Sequence, residues 1–112
     1  MVIAQEEIFG PVMSVFKFKT IEEVIQRSND TRFGLASGIR TTSIDTALKI
    51  AHGLRAGSVW INTYGIPNLP QVTTPFGGFK DSGSGRELGF DGIKNYLETK
   101  TVIIRRSDDS LP

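Results

Sequence analysis

The 112-residue sequence contains no cysteine. That excludes a disulfide framework, thiolate metal ligands and every mechanism built on a cysteine nucleophile. A single histidine, His52, excludes a conventional two-histidine metal site. Neither a catalytic residue nor a metal ligand set is therefore assigned. Charge of one sign is equally scarce. Thirteen basic residues against twelve acidic ones leave a net +1, which gives no electrostatic basis for holding nucleic acid or an anionic membrane. No apolar run approaches the roughly 20 residues of a membrane span. The opening Met1-Val2-Ile3-Ala4-Gln5-Glu6-Glu7 lacks a basic region followed by an apolar one. No signal peptide is read, and a cytoplasmic location is the expectation.

What is present fits one soluble globular domain: 38% hydrophobic and 22% charged residues separate the chain from disordered compositions. A chain of this length is expected to bury roughly 60–70% of its unfolded surface. Ile8 to Phe18 reads as a strand after a Gly10-Pro11 interruption, with Val12, Ser14, Phe16 and Phe18 on one face and Met13, Val15 and Lys17 on the other. Thr20-Ile21-Glu22-Glu23 has capping-box spacing: the hydroxyl meets a free helix amide and Glu23 reaches back to the Thr20 amide. The helix it opens, with Ile21, Val24 and Ile25 on its apolar face, is expected to end near Ser28-Asn29-Asp30. Gly34 to Arg40 reads as a second strand weakened by its two glycines.

Thr42 or Ser43 caps a second helix in which Ile44, Ala47, Leu48, Ala51 and Leu54 recur at helical spacing. Gly57 stands where a left-handed residue would end it. Ser58 to Asn62 is a third strand. The order strand–helix–strand–helix–strand predicts parallel pairing with right-handed crossovers. A long loop follows from Thr63 to Gly83; loops of this length in a compact domain are usually functional or disordered. Ser84-Gly85-Arg86-Glu87 is a second capping box, opening a helix through Leu88, Ile93 and Tyr96. Lys100 to Arg105 is a final strand, and the continuous run Val102-Ile103-Ile104 suits one covered on both faces.

Two segments bear on chemistry. Pro75-Phe76-Gly77-Gly78-Phe79-Lys80 through Gly89 brings glycines and a lysine to the start of a helix, as an anion cradle would. Its spacing fits neither a P-loop nor the dinucleotide fingerprint, so a tight structural turn accounts for it better. Gln5-Glu6-Glu7-Ile8-Phe9-Gly10-Pro11 sets two carboxylates beside an aromatic, suited to a sugar hydroxyl and a stacked ring. An exposed acidic pair beside a core phenylalanine explains the same residues. His52 reads as a partly exposed helix residue and Trp60 as core. Ser82 and Ser84 have no base partner within sequence reach.

The acidic pair with Ile-Phe-Gly-Pro, the Gly34-Leu35 strand, Gly57-Ser58-Val59-Trp60-Ile61-Asn62, and Pro75-Phe76-Gly77-Gly78 leading to Ser82-Gly83-Ser84-Gly85-Arg86-Glu87-Leu88-Gly89 occur here in one order. Together they resemble the NAD(P)-dependent aldehyde dehydrogenase superfamily, in its C-terminal part, from Ile3 to about Arg105. The resemblance implies an α/β fold: a three-layer parallel-sheet fragment of the catalytic domain (β-α-β-α-β, then a long loop, a helix and a C-terminal strand). Residues 1–99 correspond to the C-terminal part of that domain, 100–106 to an oligomerisation-type strand and 107–112 to a polar tail.

By the same resemblance, Glu7 holds the nicotinamide ribose hydroxyls of NAD or NADP, Phe9 packs beside the nicotinamide ring, and Phe76 lines the aldehyde tunnel. The family's cysteine, its water-activating glutamate, its oxyanion donors and its Rossmann-type domain all correspond to positions upstream of the matched region. The expectation is a partial dehydrogenase, inactive alone, with Met1 at an internal family position as in a truncated or split gene product. Its partners are then the missing upstream segment, a small-molecule aldehyde in the complete enzyme, and further copies through the C-terminal strand. Nucleic acid and membrane are not among them. The competing expectation is a non-enzymatic module that associates through an exposed sheet edge; a nucleotide-phosphate binder using the glycine loop is weaker. An Arg86–Glu98 ion pair is predicted to tie the third helix to the last strand.

Overall fold

The computed structural model describes residues 1–65 and 73–105. After a single 3-10 turn at Val2–Ala4, residues 8–18 run without joining any strand. The alternation expected there is present in the sequence, but no neighbouring strand among the described residues completes a ladder. Helix α1 (Ile21–Asn29) starts at its cap: the Thr20 hydroxyl accepts the Glu23 amide at 3.1 Å. The reciprocal bond falls one residue earlier than expected, with the Lys19 amide donating to Glu23 Oε2 at 2.8 Å.

The second expected strand is split by Leu35 into β1 (Phe33–Gly34) and β2 (Ala36–Ile39). Helix α2 (Ile44–Gly53) is capped by Ser43, whose hydroxyl accepts the Thr46 amide at 3.3 Å. Strand β3 (Ser58–Ile61) lies parallel to β2, with Ala36 opposite Ser58 and Ile39 opposite Ile61. Parallel pairing across a helix, read from element order alone, is what forms. Gly57 does not end α2. The helix stops at Leu54 in an extended conformation, and a Cβ on Gly57 would collide with the Gly77 carbonyl. Close backbone approach, not a left-handed turn, is what requires glycine there.

Within the expected long loop, Phe79–Lys80 form β4, antiparallel to β1 with Phe33 opposite Lys80 and Gly34 opposite Phe79. Residues 66–72 of that loop lie outside the described residues. The second capping box does not form. Helix α3 (Gly89–Lys94) begins five residues after Ser84, behind Leu88 at φ 60° and with no side-chain cap. Gly85 at φ 80° turns the chain away from helical geometry, and Glu87 is instead paired to Phe76. The final strand is also unformed: residues 100–105 make no ladder, and Ile103 is 90% exposed. The tail from 107 onward lies outside the described residues.

Packing is confined to the middle of the chain. Ile39 and Ala47, 9% and 1% exposed, are the buried apolar side chains among the described residues. The two helices cross where Gly53 admits the Ile25 side chain. Asn29 fixes that crossing by donating to the Gly53 carbonyl at 2.7 Å and accepting the Arg55 amide at 2.8 Å. Trp60 is half-buried beside Tyr64, ring centroids 4.8 Å apart, and so is less enclosed than a core residue; His52 is exposed on α2.

The surface is correspondingly large. The chain exposes 9897 Å², against about 6,100 Å² for a folded monomer of this mass. It buries only about 45% of its unfolded surface, short of the roughly 60–70% expected. A radius of gyration of 21.2 Å, against about 13 Å for a compact domain of this size, has the same origin. The flanking segments find no partner within these residues. No helix among the described residues is long and apolar enough to cross a membrane.

Candidate functional site

The glycine-rich segment folds into an open groove of about 360 Å³, lined by Leu35, Phe76, Gly78, Ser82, Arg86 and Tyr96 among others. Phe76 is half-buried in it. Its backbone is held on both sides, the Phe76 amide donating to the Glu87 carbonyl at 2.8 Å and the Glu87 amide to the Phe76 carbonyl at 2.7 Å. The Ser82 hydroxyl accepts the Gly34 amide at 2.8 Å, joining the groove to the β1–β4 ladder. A phenylalanine fixed in this way offers a rigid apolar wall.

The charges around the groove do not form an anion cradle. Arg86 donates to the Gly78 carbonyl at 3.0 Å and the Gly85 carbonyl at 2.6 Å, and its guanidinium lies 5.3 Å from the Phe79 ring centroid. Converging carbonyl oxygens held by a guanidinium are the reverse of converging amides around a phosphate. Lys80, the cation that suggested an anion site, is spent elsewhere, donating to the Asn29 carbonyl at 2.8 Å and the Thr31 carbonyl at 2.9 Å. It closes the C-terminal end of α1, where free carbonyls favour a cation. The expected Arg86–Glu98 ion pair is absent from the ion pairs of the described residues. Carbonyls adjacent in space outcompeted a carboxylate twelve residues along the chain.

Glu7 and Phe9 lie apart from this groove. Glu7 is exposed, and Phe9 is 89% exposed at φ 51°. Neither lines the groove that holds Phe76. The acidic pair makes one long contact, Glu6 to Arg32 at 3.8 Å, with both side chains more than half exposed. A carboxylate is the right acceptor for a ribose diol, but without walls around Glu7 and Phe9 the described residues form no cradle for a nicotinamide. No chemical step is derived through one. Sequence reasoning did not find Asn29 and gave Lys80 and Arg86 other roles, although these are the polar side chains that hold the groove and its supports in place. Each acts on backbone carbonyls distant in sequence or turned toward it by the fold, and no residue spacing announces that.

A parallel β-α-β unit with an aromatic-walled groove, its apolar flanks uncovered, defines an α/β segment that does not close its own surface. The model of the aldehyde dehydrogenase family matches residues 1–102, and the chain belongs to that family of oxidoreductases. It is 55% identical to an aldehyde dehydrogenase of Enchytraeus buchholzi, over 94% of this chain and 20% of that protein. It is 54% identical to aldehyde dehydrogenase X, mitochondrial, of Bos taurus, again over 94% of this chain and 20% of the relative. In structure it superposes on the NAD+ complex of an aldehyde dehydrogenase from Bacillus cereus with a TM-score of 0.84 at 50% identity, covering 91% of this chain and 20% of that one. The chain thus spans about a fifth of the length of the relatives it matches.

Proposed function

We propose that these residues are the C-terminal part of the catalytic domain of an aldehyde dehydrogenase, and that the complete enzyme oxidises an aldehyde to a carboxylic acid with NAD or NADP. The observation that carries this is the match over residues 1–102 together with the fixed, half-buried Phe76 in its groove. The resemblance of Lys100–Arg105 to the family's last strand supports the C-terminal placement. In this reading residues 1–99 complete a three-layer sheet with upstream segments, 100–106 join an oligomer's sheet, and 107–112 trail from it.

Roles follow from chemistry. Phe76 lines the path of the aldehyde, where an apolar wall excludes water from the reacting carbonyl. Glu7 accepts the ribose hydroxyls and Phe9 flanks the nicotinamide once the rest of the enzyme encloses them. The cofactor, when bound, takes up the hydride. In this reading the thiol nucleophile comes from the upstream segment, since none of these 112 residues is a cysteine. The acidic arm and the Phe76 groove therefore form one edge of a site whose reacting centre is supplied by the upstream segment.

Complementation tests this. Mixing the chain with the cysteine-bearing upstream segment of a homologue, then adding an aldehyde and NAD+, is expected to restore NADH formation. Glu7→Gln in the reconstituted enzyme is expected to weaken NAD+ binding about 10- to 100-fold, the value of a lost charge-assisted pair. A stable complex without turnover, or wild-type NAD+ affinity in the Glu7→Gln protein, counts against the assignment.

A further inference from the structure

The segment before α1 pairs with no strand among the described residues. Among the described residues no backbone–backbone hydrogen bond involves residues 13–19; earlier in the segment the Val12 amide reaches the Gly10 carbonyl at 2.7 Å and the Glu6 amide the Val2 carbonyl at 2.9 Å. Side chains make two further local ties, the Ser14 hydroxyl donating to the Ile3 carbonyl at 3.2 Å and Arg27 to the Lys17 carbonyl at 2.8 Å, and neither forms a ladder. Ile8, Phe9, Val12, Met13, Val15, Phe16 and Phe18 are all exposed. An exposed apolar strand edge is a template for pairing with another chain. The charges select which chain: acidic Glu6 and Glu7 stand at one end of the arm, basic Lys17 and Lys19 at the other, with none between. Such a segment is self-complementary only when two copies run antiparallel.

One register satisfies every constraint. With Val12 opposite Val12 of the second copy, Ile8 meets Phe16, Phe9 meets Val15, and Glu7 meets Lys17, each pair occurring twice by symmetry. Directly opposed residues point to one side of the ribbon, so the Ile8, Val12, Phe16 face of both copies coincides. Pro11 has no amide to donate. If Val12 occupies a hydrogen-bonded pair, Pro11 falls in the adjacent non-bonded one, where no amide is needed. Extension also releases Phe9 from φ 51°, a backbone region unfavourable for a bulky side chain.

We propose that residues 6–18 pair antiparallel with the same segment of a second copy, about a two-fold axis at Val12, whenever no other strand covers the arm. This self-pairing does not depend on the dehydrogenase reading. In this geometry the two Val12 Cα atoms lie about 5.5 Å apart, within disulfide range, whereas the two Val15 Cα atoms are about 20 Å apart along the ribbon. The absence of native cysteine makes single-cysteine variants unambiguous.

The test combines cross-linking with sedimentation. Under mild oxidation Val12→Cys is expected to become a disulfide-linked dimer while Val15→Cys forms no cross-link. In the cysteine-free chain, sedimentation equilibrium is expected to show mass rising with concentration toward that of a dimer. Lys17→Glu or Glu7→Lys alone places like charges opposite each other twice and is expected to weaken dimerisation about tenfold; the two together are expected to restore it. Circular dichroism of each variant checks that α1 and α2 persist. A monomer at every concentration overturns the proposal, as does equal cross-linking at both positions. Dimerisation abolished by Ile103→Lys but indifferent to the charge swap assigns contact to the C-terminal segment and overturns it too.

Discussion

Gly57 and Gly77 show how single residues set this fold. Two backbones meet there so closely that the missing Cβ of Gly57 is the space the Gly77 carbonyl occupies. Gly57→Ala must push the β3 entry away from the Phe76 groove, an overpacking of the kind that costs about 1–3 kcal/mol. Urea unfolding followed by the fluorescence of Trp60, the sole tryptophan, is expected to show that loss; an unchanged midpoint would mean the two segments do not touch in solution. Polar residues act in the same localised way. Asn29 holds two backbone groups from the far end of α2, and Arg86 holds two carbonyls of the groove. The first could not be read from sequence because its partners are more than twenty residues away. The second was misread because a guanidinium chooses its acceptors by proximity in the fold.

At the level of elements, what was legible was what is local. Both long helices start at the residues their caps announce, since a Thr20 or Ser43 hydroxyl and the amide three residues on need no distant partner. The β2–β3 pair was legible because a helix between two strands leaves parallel pairing as the simple solution. Residues 8–18 and 100–105 were read as strands from their apolar content, yet a strand exists only against a neighbour, and the described residues contain none for them. Helix α1 also holds two carboxylates that the folded state keeps below their ordinary range. The Lys19 amide first, and the Arg27 guanidinium second, hold the Glu23 carboxyl below its ordinary range; a hydrogen bond from Lys49 does the same for Glu22. A depressed folded-state value stabilises the fold above the unfolded value of about 4.3, and that contribution disappears as pH falls through the folded value. Both groups are solvent-accessible, so the effect is modest. The Glu23 side-chain NMR titration is expected to have its midpoint below that of an unstructured glutamate, and Glu23→Gln to flatten the acid-side loss of helix. A midpoint at or above the ordinary value would contradict the cap geometry.

The whole molecule is defined by what surrounds its small packed centre. Ile39, Ala47 and the Asn29 crossing hold a β-α-β unit together, while two apolar arms and the Phe76 groove face outward. The chain corresponds to about a fifth of its relatives' length, and in the proposed reading the uncovered surfaces are those the complete fold covers. The candidate site divides along the same line. Phe76 sits in a formed groove, Glu7 and Phe9 on an unsupported arm, and no residue here carries a thiol. The most direct measurement is the rate of NADH formation by the purified 112-residue chain, free of any companion protein, with an aldehyde and NAD+. No turnover above the buffer blank is predicted; sustained oxidation of the aldehyde to its acid would contradict the account.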